Sequence, residues 1–183
     1  MSWLSQVEVP YEETKAIIIE EFKRHERGYF ATSENDRVSV RQMMFINEGL
    51  KLWFITDKAT RKVQHVISNS NVAVAMGLNL QYEGVARMKS QPLEEENRDF
   101  ICAFKEKNPD VYTRSMREGR ILQREGTRVI EVTPKRIALN VWTPQWDKEE
   151  GFEPYLYVLN ADSEKAYKVL LAQDGYAAKA YTQ

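Results

Sequence analysis

Three runs rich in β-branched and aromatic residues follow one another between positions 28 and 56, with only a few turn-forming residues between them. Residues 28–33 (GYFATS), 37–46 (RVSVRQMMFI) and 50–56 (LKLWFIT) suit a half-buried pleated surface, and Glu34-Asn35-Asp36 and Asn47-Glu48-Gly49 read as the turns that join them. Links this short pair antiparallel neighbours, because parallel strands need a crossover connection of about a dozen residues or more. After a short helical stretch at 60–68, with Val63, Val66 and Ile67 inward, a fourth run at 72–76 and a fifth near 81–88 extend the series. Residues 128–133 and 136–142, joined by Pro134-Lys135, bring the expected number to about seven. The pattern predicts a mainly β (α+β) chain, an antiparallel barrel of six to seven strands with flanking helices.

The helices carry their own punctuation. Pro10 suits a first helical turn, Glu12 and Glu13 follow it there, and Ile18, Ile19 and Phe22 recur at helical spacing. Lys23, Arg24 and His25 suit the negative C-terminal end and Gly28 follows, so the spacing predicts a helix over about 10–26. Beyond Pro92, Leu93, Asn97, Phe100, Ile101 and Phe104 share one face of a second helix, which Asn108-Pro109 should stop. Residues 112–117 read as a third short helix and 118–125 as a charged loop. After Trp142, residues 143–154 hold two prolines and four acidic residues and read as a loop. A strand at 155–159 and a helix capped by Asp162 or Ser163, with Ala166, Tyr167, Leu170 and Leu171 inward, are expected next. The chain thus divides into a barrel domain over 1–142 and a C-terminal extension over 143–183.

Charge and composition narrow the function classes. The formal net charge is −1, from 26 basic and 27 acidic residues among 183, so no global field draws the chain to nucleic acid or an anionic membrane. No apolar run approaches the roughly 20 residues that span a bilayer, and the N-terminal segment lacks the pattern of a secretory signal. Cys102 is the single cysteine, which rules out an internal disulfide and agrees with a reducing cytoplasm. With only His25 and His65 besides, clustered ligands for structural zinc are missing, and no Ser–His–Asp or Cys–His arrangement is apparent.

The chemistry-bearing segment is 50–76, LKLWFITDKATRKVQHVISNSNVAVAM. A strand ends at Thr56, a polar turn carries Asp57, Lys58 and Thr60, and a helix begins with Arg61-Lys62. Free N–H groups and the positive macrodipole end at a helix start attract phosphate. Lys58, Arg61 and Lys62 lie three and four positions apart, so a helical turn would present all three cations on one face. The competing reading is a solvated helix start with ordinary surface charges.

The ordered set of a leading helix, GYFATS, VSVRQMMFI, LWFIT–DKATRK, NSNVAVAM and YEGVARM resembles the pyridoxamine 5′-phosphate oxidase-like split β-barrels, in particular the small general-stress-protein-like members. The resemblance covers about residues 10–142 and implies a flavin mononucleotide (FMN) cofactor, with deazaflavin F420 as the alternative and haem in some relatives. It also implies a homodimer with cofactor sites between subunits, and FMN-dependent oxidoreductase or flavin reductase chemistry, or else a non-catalytic carrier or stress sensor. Arg41 matches the family arginine near the phosphate or ribityl chain, Gln42, Met43 and Met44 match the backbone along the flavin ring, and Ile55-Thr56 matches the strand end that lines ring and ribityl. Thr60-Arg61-Lys62 matches the phosphate-gripping triplet, with Asp57 and Lys58 in the adjoining turn. Asn79, or Gln81, is the nearest position to a glutamine that relatives place near the ring. The substrate signature of the biosynthetic oxidase has no counterpart in residues 155–183, and its Tyr, Arg and Ser are echoed only by the compressed Val111-Tyr112-Thr113-Arg114-Ser115.

Other readings compete at single positions. Arg41 suits a strand arginine paired with Asp36 or Glu48, and Met43, Met44 and Met76 suit core filling. His65 is expected to be structural, Cys102 a small buried hydrophobe, and Trp142, Trp146 and Tyr155 anchors of the tail.

Overall fold

The computed structural model describes residues 5–141 and 155–170. In chain order these form β1 (Ser5–Val9), α1 (Tyr11–Lys23), β2 (Arg27–Glu34), β3 (Arg37–Met44), β4 (Ile46–Glu48), β5 (Lys51–Asp57), α2 (Arg61–Ser68), β6 (Asn71–Met76) and β7 (Leu80–Met88), then α3 (Arg98–Lys107), α4 (Pro109–Ser115), β8 (Thr127–Val141), β9 (Tyr155–Asn160) and β10 (Lys165–Leu170). All ten strands belong to one antiparallel sheet with the order β1-β10-β9-β8-β7-β6-β2-β3, and β5 joins it by pairing with both β8 and β4.

The long strand β8 is where the barrel divides. One of its edges pairs with β7 along most of its length. Its other edge pairs with β5 up to Val132 and with β9 from Arg136 onward. Pro134 falls in the gap between those two partners, where no N–H is needed, and the ladder to β7 shifts register between Glu83 and Gly84. A proline is tolerated inside a strand at such a bulge. Residues 128–133 and 136–142 were expected as two strands, and this gap is why they run as one.

Two apolar layers lie on the two faces of β5 and β8. Phe30, Leu52, Phe54, Val74, Tyr82 and Val132 belong to the interior core that α1 and α2 help to close. Tyr82 is fully buried, and its hydroxyl lies 2.9 Å from the Val132 carbonyl and 3.1 Å from that of Leu50. Ile46, Trp53, Phe100, Phe104, Leu122 and Val129 form the second layer, under α3. This explains why β5 is apolar at consecutive positions: Leu52 and Phe54 face one layer and Trp53 the other. Phe30, Phe45 and Phe54 of the interior core meet edge-on, with centroids 4.8 to 6.4 Å apart.

Several expectations fail for local reasons. The residues after Asp162 form the hairpin partner β10 rather than a helix, because Glu164 turns the chain at φ 49° and residues 165–170 pair with β9 on one side and β1 on the other. Strand β1 carried no recognisable signal of its own. Phe45 breaks the run 37–46, so that Ile46–Glu48 leaves β3 and pairs with β5. Asn108-Pro109 does stop α3, at Lys107, but Pro109 also opens α4, so the short helix expected at 112–117 runs over Pro109–Ser115. Helix α3 itself begins at Arg98, leaving Leu93 outside the helix and 44% exposed. Ile67 points outward from α2 while Val63, His65 and Val66 take the inward face. Cys102 is exposed, not buried. Trp142, Trp146 and Leu171 lie outside the described residues, as does the acidic loop 143–154. Among the described residues no helix is long and apolar enough to cross a membrane, and no group of His, Cys, Asp or Glu side chains is placed to hold a metal ion.

Candidate anion-binding site

Three cations from two elements converge where β5 gives way to α2, and each is tethered by a neutral hydroxyl. Arg61 donates to Ser39 Oγ at 2.6 Å, Lys62 donates to Thr56 Oγ1 at 2.9 Å, and Arg41 donates to Thr32 Oγ1 at 2.8 Å. The hydroxyls come from β3, β5 and β2, so three strands and one helix fix the arrangement. Hydroxyl tethers orient a cation without neutralising it. Among the described residues none of the three forms an ion pair with a carboxylate, so neither Asp36 nor Glu48 is the partner of Arg41.

Arg41 is held most firmly. One terminal nitrogen, Nη1, donates both to Thr32 Oγ1 and to the Phe30 carbonyl at 3.1 Å, while the guanidinium carbon sits 5.7 Å from the Phe30 ring centroid. Both Nη1 protons are thereby used, which leaves Nη2 and Nε free to meet an oxyanion in the fork geometry that guanidinium favours.

Electrostatics agree with the geometry. Burial lowers the pKa of Arg41, and the charge of Arg61 lowers it further. Burial likewise lowers that of Lys62, with the Arg41 charge acting in the same direction and Asp57 against it. The helix start adds to the excess of positive charge. No acidic residue occupies the first turn of α2, although carboxylates are the residues a helix N-terminus favours. The Thr60 carbonyl accepts the Val63 and Gln64 N–H groups, and the Arg61 and Lys62 N–H groups have no backbone acceptor among the described residues. Free donors, a positive dipole end and three mutually repelling cations are a poor arrangement for an isolated fold and a good one for an anion.

Arg41, Thr56, Thr60, Arg61 and Lys62 are therefore neighbours. Asp57 shapes the turn: its Oδ1 accepts the Ala59 N–H at 2.8 Å, and its carbonyl accepts the Thr60 hydroxyl at 2.9 Å. Lys58 lies in that turn, exposed and outside α2, its N–H bonded to the Gly126 carbonyl. Ile55 packs beside the second apolar layer. Met43 and Met44 pack against the interior core and the second layer respectively. Gln42 is exposed, opposite Tyr29. Asn79 is elsewhere, in the turn between β6 and β7, where its amide donates to Glu21 of α1 at 3.0 Å. Thr113 and Arg114 are bonded to carbonyls of their own helix, α4.

The hydroxyls Thr32 and Ser39 were missed as site residues, and one of them was legible. Thr32 shares the inward face of β2 with Gly28 and Phe30, so it is a buried polar group that needs partners. Ser39 carried no such signal, since β3 is an edge strand with little burial.

A search with family models matches residues 16–140 to the pyridoxamine 5′-phosphate oxidase family. No curated protein matches the chain. Among solved structures, general stress protein 26 of Bacillus anthracis str. Sterne is similar at 22% identity and TM-score 0.52, over 70% of this chain and 92% of that one. A pyridoxamine 5′-phosphate oxidase-related, FMN-binding protein of Nostoc punctiforme PCC 73102 is similar at 14% identity and TM-score 0.56, over 88% of this chain and 96% of that one. A FAD-binding protein of Mesorhizobium loti is similar at 10% identity and TM-score 0.53, over 73% and 94%. At these identities the structures speak for the fold. Because the matched span runs from α1 into β8 and includes the whole cation cluster, the chain belongs to the pyridoxamine 5′-phosphate oxidase family and has its split-barrel fold.

Proposed function

We propose that this chain is a flavoprotein that holds the phosphate of FMN among Arg41, Arg61 and Lys62, and that it works as an oxidoreductase or flavin reductase on a small substrate. One observation carries the reading: three neighbouring cations are each tethered by a hydroxyl, and among the described residues none of them is ion-paired to a carboxylate. A phosphate monoester supplies the missing charge and the acceptor oxygens. Arg41 would meet it through its free guanidinium edge, Lys62 as a point charge, and the free N–H groups of Arg61 and Lys62 through the helix start. Gln42, Met43, Met44 and the Ile55–Thr56 strand end are the groups we assign to the ring and ribityl portion, following the family pattern. Asn79 is left out, being committed to Glu21.

FMN, when bound, supplies reversible hydride or single-electron transfer. The chain's own part is to bind and orient the cofactor. His65 lies under the cluster, buried and bonded to Thr32, so it offers no exposed acid or base to a substrate. That observation favours a second reading in which the protein carries or senses a flavin without turnover. The FMN-binding and FAD-binding descriptions of the Nostoc and Mesorhizobium proteins support a flavin-type ligand in both readings. We propose further that the chain acts as a homodimer in the cytoplasm, with no nucleic-acid or membrane partner.

The purified protein should show oxidised-flavin bands that persist through gel filtration, and an Arg61→Ala/Lys62→Ala variant should lose them. If neither FMN, FAD nor F420 binds, the proposal fails. Oxidation of NADH or NADPH with acceptor supports the enzyme; flavin binding without turnover on either donor supports the carrier.

A further inference from the structure

We propose that His65 and Thr32 form a positioning relay that sets the direction of Arg41, so that a buried imidazole under α2 decides how well the cation cluster holds a phosphate. The proposal rests on the reading of Arg41, Arg61 and Lys62 as a phosphate site.

The hydrogen-bond directions follow from the chemistry of each group. Guanidinium only donates, so Thr32 Oγ1 is the acceptor in its 2.8 Å contact with Arg41 Nη1. Thr32 is buried, and its hydroxyl proton needs an acceptor of its own. His65 Nδ1 lies 3.0 Å from the same Oγ1 and meets that need. The ring is then neutral with its proton on Nε2, which faces Glu34 Oε2 at 3.5 Å. Glu34 in turn accepts the Ser68 hydroxyl through Oε1 at 3.2 Å. The chain Ser68, Glu34, His65, Thr32, Arg41 thus runs from the last turn of α2, through the end of β2, to the face of β3 that carries the cation. Donation runs from Arg41 to Thr32, from Thr32 to His65 and from His65 to Glu34, which ends the chain as an acceptor shared with the Ser68 hydroxyl. That hydroxyl also lies 3.1 Å from the His65 carbonyl.

Two features make this more than a satisfied core histidine. The imidazole orients a hydroxyl whose lone pair fixes one of the two terminal nitrogens of Arg41, and the other nitrogen is thereby turned outward. His65 also stands at the fourth position after Arg61, so one helix presents a phosphate ligand on its exposed first turn and the positioning group of another ligand on its buried face. The α2 helix couples Arg61, Lys62 and Arg41 although Arg41 belongs to a strand.

The test compares FMN with riboflavin, which lacks the phosphate, by quenching of flavin fluorescence. Wild-type protein is expected to bind FMN more tightly. Thr32→Val and His65→Leu should weaken FMN by about ten-fold, the effect of losing a hydrogen bond that orients a charged donor, and leave riboflavin unchanged. Thr32→Ser and His65→Asn, which keep a hydroxyl and an acceptor at the Nδ1 position, should restore FMN binding. Equal weakening of both flavins, or an unchanged FMN-to-riboflavin ratio in folded Thr32→Val and His65→Leu, overturns the relay. Equal affinity of wild-type protein for FMN and riboflavin overturns the phosphate reading beneath it. Nitrogen-15 NMR of the wild-type histidines needs no variant: His65 should carry its proton on Nε2, and an Nδ1–H or doubly protonated ring overturns the relay.

Discussion

The Lys62 ammonium donates to the Thr56 hydroxyl across 2.9 Å, which ties the first turn of α2 to the end of β5 and holds a second positive charge within the field of Arg41. Such a contact serves a ligand better than it serves the fold. Lys62→Met should therefore weaken FMN binding by about 1.5–3 kcal/mol, or roughly ten- to a hundred-fold. The thermal midpoint of the ligand-free protein should hold or rise, because a repelled cation at a helix N-terminus has been removed. Flavin titration and a thermal melt without flavin check the two halves. A clear fall in the ligand-free midpoint would show that the lysine is there for the fold.

The bulge opposite Pro134 gives a second expectation. A Cβ on Gly84 would stand 2.4 Å from the Thr133 carbonyl oxygen and 2.8 Å from a ring carbon of Tyr82. Neither neighbour is a flexible side-chain end: one is backbone and the other is buried and bonded at its hydroxyl. Gly84→Ala should cost about 1–3 kcal/mol through overpacking. The midpoint of urea unfolding should fall accordingly. An unchanged midpoint would mean that the β7–β8 register is looser than the bulge implies.

The same two regions explain what the sequence made legible. β-Branched and aromatic content bounded by turn residues marked GYFATS and the run at 72–76 as strands, and in the structure one face of each of β2 and β6 is buried and the other is not. Thr56, Arg61 and Lys62 were readable because they lie within seven positions of one another along a strand–turn–helix. Arg41 needed the family resemblance to join them, since it reaches the site through pairing with β2 and not through the chain. The strand β10 was misread as a helix because Ala166, Tyr167 and Leu170 also fit a helical spacing, and pairing with β9 and β1 overrode it. Ser39 and His65 meet Thr32 only in three dimensions, so among the tethers the local pattern pointed to Thr56 and, through the inward face of β2, to Thr32, and gave nothing for Ser39.

At the far end of α1, Glu21 joins three donors: Asn79 Nδ2 at 3.0 Å, His25 Nε2 at 3.0 Å and Arg24 Nη1 at 3.2 Å. Burial pushes its pKa up, but the hydrogen bonds from Asn79 and His25 and the charge of Arg24 outweigh this and leave it below the ordinary value of 4.5. A carboxylate whose folded pKa is depressed stabilises the fold above its unfolded pKa, and that contribution fades as pH falls through the folded value. Glu21→Gln should be less stable than wild type at neutral pH by about 1–3 kcal/mol, with the gap closing below pH of roughly 4. Urea unfolding at a series of pH values checks it. A gap of the same size at pH 3 and pH 7 would trace the loss to packing and not to charge.

The outer face of β2 and β3 supplies the last expectation. Antiparallel register sets Tyr29 opposite Gln42, Ala31 opposite Val40 and Ser33 opposite Val38, so these side chains share the face turned away from the core that holds Phe30. Tyr29 is 53% exposed, Val40 61% and Val38 70%. Ala73 and Ala75 of β6 continue the same face, since they pair with Ala31 and Tyr29. A contiguous apolar sheet face beside an edge strand invites either association or aggregation, and a closed symmetric dimer is the commonest outcome that uses such a face productively. The cation cluster lies on the other face of the same edge strand, because Ser39, the tether of Arg61, and Arg41 alternate with Val38 and Val40. A homodimer formed here should therefore report on the site as well. Val38→Lys/Val40→Glu should convert a wild-type dimer to monomer in sedimentation velocity, and flavin affinity should fall along with it, because the cofactor site is expected to lie between subunits. A wild-type protein that sediments as a monomer at every concentration would remove the dimer. A dimer that dissociates with flavin affinity intact would keep the interface and place the whole cofactor site within one chain.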